Sequence, residues 1–325
     1  VLSSTLNNSV CSGLVSGITL NTIVTSVAAN DYTINTITVA GGLTAGGGNA
    51  TTGAGKLANA IVNDVFTNVT SGPLTVVYNI TPVSAAGCAG NAANVTLTID
   101  PSPVVSTTLD ATVCSDGING ITLNTNGTSV AASSYTINTI TVAGGLTAGG
   151  GNATTGPGKL SNAIVNDVFT NVTSGPLTVV YNVTPVSAAG CVGSAQNITL
   201  TVSPEPELST TLNATVCSDA VSGITLSTLV TSVAASSYTI NSISVSSGLT
   251  AAGGNATTGT LKLPNAIVND VFTNPTIGPL TVTYNVTPVT GSCQGNALNI
   301  ILTITPEPVL SSTLNNSVCS GLVSG

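Results

Sequence analysis

The residues of this sequence that could do chemistry are few, and most of them recur. Residues 46–57, GGGNATTGAGKL, set three glycines ahead of a Gly55, Lys56 pair, the ingredients of a loop that cradles phosphate. Such a loop needs Gly, four residues, then Gly-Lys-Ser/Thr at the start of a helix. Here Ala50 stands where the first glycine belongs and Leu57 where the hydroxyl belongs, and the third copy of the stretch, GGNATTGTLKL, has no Gly-Lys pair. The stretch reads as a glycine-rich turn between two strands. Asp64, Asp167 and Asp270 recur within NDVF, but a lone carboxylate lacks the second group that acid–base work or calcium binding needs. Each reads as a hydrogen-bonded structural aspartate. Asp31 becomes Ser134 and Ser237 in the other copies, so it serves no common role. With no histidine anywhere, a Ser/His/Asp triad and the common zinc sites are excluded. A Lys–Asn cross-link beside a carboxylate needs a lysine within a strand, whereas Lys56, Lys159 and Lys262 adjoin the glycine-rich stretch. The sequence therefore predicts no enzyme, no catalytic residue, no metal ligand and no cofactor.

Sulfur is the remaining chemistry. Seven cysteines are present: Cys11, Cys88, Cys114, Cys191, Cys217, Cys293 and Cys319. Regular pairs in a small β module point to an oxidising, extracellular location. Two pairings are open. Pairing within repeats (Cys11 with Cys88, Cys114 with Cys191, Cys217 with Cys293) closes loops of about 77 residues, worth roughly 4.5 kcal/mol in chain entropy. Pairing across boundaries (Cys88 with Cys114, Cys191 with Cys217, Cys293 with Cys319) closes about 26 residues, worth roughly 3.5 kcal/mol. The first is favoured because self-contained repeats duplicate cleanly; it leaves Cys319 unpaired.

What positions these residues is a repeat. Cys11, Cys114 and Cys217 are 103 residues apart, and NAIVNDVFTN occurs at 59, 162 and 265. Residues 309–325 are identical to residues 1–17, which predicts a cycle of 308 residues in a longer protein and a start at Val1 that is not natural. The proline-flanked stretches DPSP at 100–103, PEP at 204–206 and PEP at 306–308 fix φ and favour extended backbone. They divide the chain into repeats at 1–102, 103–205 and 206–307, with 308–325 as the first strand of a truncated fourth.

Within a repeat, GITLNT, YTINTITV, AIVNDVF, LTVVYNITPV and ANVTLTI alternate as half-buried strands do. Leu74, Val76, Tyr78 and Ile80 share one face, expected to be the core. Seven or so strands in about a hundred residues predict an all-β chain of tandem immunoglobulin-like β-sandwich domains, strung into an extended rod. Composition narrows the partners. Only 4% of residues are charged, the net charge is -8 and lysine is the only basic residue, so no basic surface for nucleic acid can be built. No apolar run is long enough to insert in a membrane. The surface must be Thr, Ser, Asn and Gly, and copies of the chain can associate at little cost in desolvated charge. Sequons at Asn49, Asn68, Asn79 and Asn94 follow from Thr alternating with Asn along strands; O-linked sugar suits such a surface better.

VCSG, NAIVNDVFTN, LTVVYNITPVSAAGCAG and VTLTIDPSP, in that order and in all three repeats, together resemble the PKD-like domain repeated in giant surface proteins of Bacteroidota, gliding-motility adhesins among them. Where that family often carries a Trp after a Tyr-Thr strand, this chain has Tyr32, Tyr135 and Tyr238 followed by TIN. The resemblance implies an exported, cell-surface, non-catalytic stalk delivered by a type IX secretion route. The expected function is a stiff, disulfide-stabilised stalk or fibre that associates with copies of itself, with a host or surface glycan met at a tip outside this sequence. The alternative is a carbohydrate- or ligand-binding module using Tyr32, Tyr135 and Tyr238 as platforms.

Overall fold

A computed structural model describes residues 1–310 and residue 320. Among them every regular element is a strand. In the first repeat these are β1 (Asn8–Cys11), β2 (Ala29–Val39), β3 (Leu43–Ala45), β4 (Gly53–Lys56), β5 (Phe66–Asn68), β6 (Leu74–Ser84) and β7 (Ala93–Asp100). The second has β8 (Ala111–Cys114), β9 (Ala132–Val142), β10 (Leu146–Ala148), β11 (Gly156–Lys159), β12 (Phe169–Asn171), β13 (Leu177–Ser187) and β14 (Gln196–Ser203). The third has β15 (Ala214–Cys217), β16 (Ser237–Val245), β17 (Thr250–Ala251), β18 (Gly259–Lys262), β19 (Phe272–Thr273), β20 (Leu280–Thr290), β21 (Cys293–Gln294) and β22 (Leu298–Thr305).

Each repeat is a sandwich. The main sheet runs β1-β7-β6-β2-β4, and the short pair β3-β5 lies apart from it. All pairs are antiparallel except β1 with β7, which run parallel with Cys11 level with Asp100. Each repeat closes its own core: Ile34, Ile61, Phe66, Val76, Tyr78, Ile80, Leu97 and Ile99 in the first, and matching clusters in the other two. Along β6 burial alternates as the sequence predicts, Val76, Tyr78 and Ile80 inward and Thr75, Val77 and Asn79 outward. On the outer face Asn35 donates to Asn79 (2.9 Å), which donates to Asn94 (2.7 Å), an amide ladder across three strands that recurs in each repeat. Side-chain amides there take the place that ion pairs hold in more charged proteins.

Two expected strands are absent. Residues 58–63 form three successive turns instead, with Ala60 N–H bonded to Leu57 C=O, Val62 N–H to Asn59 C=O and Asp64 N–H to Ile61 C=O. Asn and Asp compete with strand ladders for backbone groups, and the run of turns drops both Ile61 and Asp64 inward. Residues 17–22 keep an alternating burial, with Ile18 and Leu20 inside, but hold on through single backbone bonds such as Leu20 N–H to Ala58 C=O. The glycine stretch also differs in part from a plain turn. Its residues 53–56 form edge strand β4 against β2, with a bulge between Gly53 and Lys56. Gly55 there has φ 69°, a backbone region that glycine enters without strain. Lys56 Nζ donates to Thr51 Oγ1 at 3.2 Å, outside the core.

Candidate functional site at the joints between repeats

Parallel pairing of β1 with β7 decides where the sulfurs sit. It carries Cys11 to the downstream end of its repeat, beside Asp100, where the chain leaves. Cys88 lies in the hairpin before β7 begins at Ala93, at the opposite, upstream end. Eight strand residues at about 3.3 Å each separate the two, against a Cα–Cα reach of roughly 4.4–6.8 Å for a disulfide. The within-repeat pairing is therefore excluded. The pairing of Cys88 with Cys114 is excluded too, since Cys114 stands level with Ser203 at the far end of the second repeat.

The disulfides join the downstream cysteine of one repeat to the upstream cysteine of the next: Cys11 to Cys191 and Cys114 to Cys293, both with Cα atoms 5.4 Å apart. Among the described residues Cys88 and Cys217 are free and exposed. Cys319 lies outside the described residues.

Around each bridge the joint is packed. Cys191 is held by a turn in which Ser187 N–H bonds the Cys191 carbonyl (2.9 Å) and Ser187 Oγ accepts from Cys191 N–H (3.1 Å). Its sulfur is 3.8 Å from the Asp100 carbonyl of the preceding repeat. Linker prolines Pro101, Pro103, Pro204 and Pro206 are buried, whereas Pro308 is exposed. The carbonyl of Pro103 presses on Gly193, where a Cβ would lie 1.9 Å from the oxygen, and the carbonyl of Pro206 presses on Gly295 at 1.7 Å. At the equivalent Gly90 of the first repeat a Cβ meets only Pro82, at 3.0 Å. Gly193→Ala should therefore push the first two repeats apart and leave Cys11 and Cys191 unbridged. Thiol titration of the unfolded, unreduced protein checks this: the variant gains two reactive thiols, and Gly90→Ala gains none.

The second joint also gathers acidic groups. Burial in the cleft raises the Glu205 carboxyl above its ordinary range, helped by Asp116 nearby. No group of three or more Cys, Asp or Glu able to hold a metal occurs among the described residues.

Inside the repeats the recurring aspartates are structural. Tyr78 OH donates to Asp64 Oδ2 (2.6 Å) and Ala50 N–H to Asp64 Oδ1 (2.8 Å); Asp167 and Asp270 are held alike by Tyr181 and Tyr284. Burial raises the carboxyls of Asp64 and Asp167, and raises the phenols of Tyr78 and Tyr181 still further beyond neutral pH. The signal was in the sequence, as a tyrosine fourteen residues after each NDVF aspartate. Tyr32, Tyr135 and Tyr238 are not platforms. They are 4%, 3% and 3% exposed, and Tyr32 OH donates to the Leu20 carbonyl at 3.1 Å. Asn49 and Asn68 turn their amides inward, onto Val65 and onto Gly72 and Ile99.

Fold and joints together define a tandem β-sandwich repeat protein with covalent cross-ties between neighbours. A family model described as PKD-like domain matches residues 8–103, 111–206 and 214–308, and the chain belongs to that family. The model matches three times in tandem, and no enzymatic family is indicated. No curated protein matches the chain. Among solved structures it is similar to human CDH23 EC21-23, with 12% identity over 94% of this chain and 99% of that one and a TM-score of 0.32. It is similar also to protocadherin gamma B2 cadherin domains 3-6 (11% identity, 94% and 77% covered, TM-score 0.28). A third is the fibronectin(III)-like modules of Clostridium thermocellum CbhA (10% identity, 63% and 94% covered, TM-score 0.22). The two disulfides among this chain's described residues point to an oxidising environment, and no helix among those residues is long and apolar enough to cross a membrane.

Proposed function

We propose that this chain is a stalk segment of an extracellular bacterial surface adhesin or filament, whose work is to span distance and carry tension. The observation that carries the reading is the joint. Each neighbouring pair of repeats is tied by a buried proline linker and by a disulfide from the downstream end of one to the upstream end of the next. Two ties at one junction resist hinge bending, which a single flexible linker cannot do. A surface with three lysines and no arginine gives trypsin-like proteases little to cut, and its near-neutral Thr, Ser and Asn face favours lateral packing of copies at low desolvation cost. The resemblance to surface proteins of Bacteroidota supports a stalk held at the cell surface and delivered by a type IX route.

Small-angle X-ray scattering tests it. Three sandwiches of about 33 Å in line make a rod near 100 Å, with a radius of gyration of about 30 Å. A 325-residue globule has about 20 Å. The expected result is the larger value in oxidising buffer, with a broader distribution of shapes after reduction. A radius near that of the globule sinks the proposal.

A further inference from the structure

Each end of the chain carries half of the joint that the middle carries whole. In the second and third repeats the upstream cysteine is buried beneath the preceding repeat: Cys191 is 0% and Cys293 4% exposed. In the first repeat the same cysteine, Cys88, is exposed, at the rim of an apolar hollow lined by Val1, Val27, Pro82, Val83 and Ala89. At the other end the downstream cysteine, Cys217, is exposed, and so is Pro308, whose counterparts Pro103 and Pro206 are buried in the two joints. The contacting parts are conserved between the halves. Gly90 stands where Gly193 and Gly295 receive a proline carbonyl, and Cys88 N–H bonds Ser84 Oγ as Cys191 N–H bonds Ser187 Oγ.

We propose that Cys217 and Cys88 are the two halves of one further joint, closed by a second copy of this three-repeat unit that follows in line. Two observations argue for an in-line copy over a separate chain. Both existing joints are built on a continuous proline linker, which holds the two sulfurs at high effective concentration. Residues 309–325 repeat residues 1–17, so the next copy begins directly after Pro308. A joint between unlike surfaces does not close on itself and propagates without limit. The bond forms by thiol–disulfide exchange. The Cys217 thiolate attacks a small disulfide such as oxidised glutathione, and the Cys88 thiolate then displaces the second glutathione. Two protein thiols are oxidised and two glutathione thiols and one protein disulfide result.

The inference rests on the joint geometry and not on the stalk reading, and its test leaves overall shape aside. A polypeptide carrying residues 1–308 followed by the full 325-residue chain is refolded with a glutathione redox buffer, then mapped by mass spectrometry of its non-reduced peptides. The expected map links Cys217 of the first unit to Cys88 of the second, giving five disulfides where two separate units hold four. Cys88→Ser in the second unit loses that one link and frees one thiol, while the four other links persist and report an intact fold. A free Cys217 in the first unit of the unaltered doubled chain, or its pairing with any cysteine other than Cys88 of the second unit, overturns the joint. Closure only between separate polypeptides, read as a doubled mass on a non-reducing gel, overturns the in-line assignment.

Discussion

Pulled from its two ends in oxidising buffer, the segment 1–308 should stop extending at roughly 340–370 Å, and after reduction at roughly 1,000–1,100 Å, taking about 3.3–3.6 Å per extended residue. The threefold difference comes from how the two bridges overlap. Residues 114–191 lie inside both disulfide loops. Tension therefore takes the shortest covalent route: ten residues to Cys11, across to Cys191, back along seventy-seven residues to Cys114, across to Cys293, and fifteen residues on to Pro308. The middle of the second repeat is pulled against its own chain direction. Cys11→Ser or Cys114→Ser alone leaves one bridge, and the limit rises only to roughly 420–460 Å. Single-molecule force spectroscopy reads all three lengths. An oxidised chain that reaches the reduced length contradicts the offset pairing.

Acid should strengthen the first repeat, and a single aspartate accounts for the sign. Burial raises the Asp64 carboxyl above its ordinary range, and the hydrogen bonds from Tyr78 and Ala50, which pull the other way, do not cancel it. The folded state thus holds the proton more tightly than the unfolded chain does. Its stabilising contribution is complete below the ordinary carboxylate pKa and is lost as pH rises through the raised folded value. In Asp64→Asn the amide still offers an oxygen to Ala50 and a donor to Tyr78 OH, so stability stays close to that of the parent while this part of the pH dependence goes. In Asp64→Ala the buried Tyr78 hydroxyl and the half-buried Ala50 N–H lose their partner, which costs roughly 2–4 kcal/mol, or a fall of about 10–25 °C in the Tm of a domain this size. Thermal melts of the three proteins between pH 4 and 7 check both statements. An Asn variant with the parent's slope rules out Asp64 as the source.

The parts of the fold legible in the sequence were those set by local period. β6 and β7 alternate because each has one face in the core, so Val76, Tyr78, Ile80 and Leu97 could be read as core from spacing alone. Tyr32 was legible by the same rule, two residues before Ile34, yet its neighbourhood of Thr and Asn drew it toward the surface reading. Residues 58–63 misled because AIVNDVF is rich in strand-forming residues, whereas the carbonyls of Leu57, Asn59 and Ile61 are taken by N–H groups three residues on, as in turns. The disulfide pairing was out of reach of local pattern. It follows from β1 lying parallel to β7, a contact between residues some ninety positions apart, and that contact sets which end of the sandwich each sulfur occupies. The same distance hid the joint: nothing in the letters around Gly193 tells that Pro103 will press on it.

The overlap of the two bridges also governs how the molecule survives wear. Sever the backbone once anywhere between Cys11 and Cys293, and both fragments stay attached through sulfur. Sever it twice, in different intervals between the four bonded cysteines, and every piece is still tethered. Damage at one point is carried around by the neighbouring repeat, so this chain fails by accumulation of cuts and not at its first broken bond.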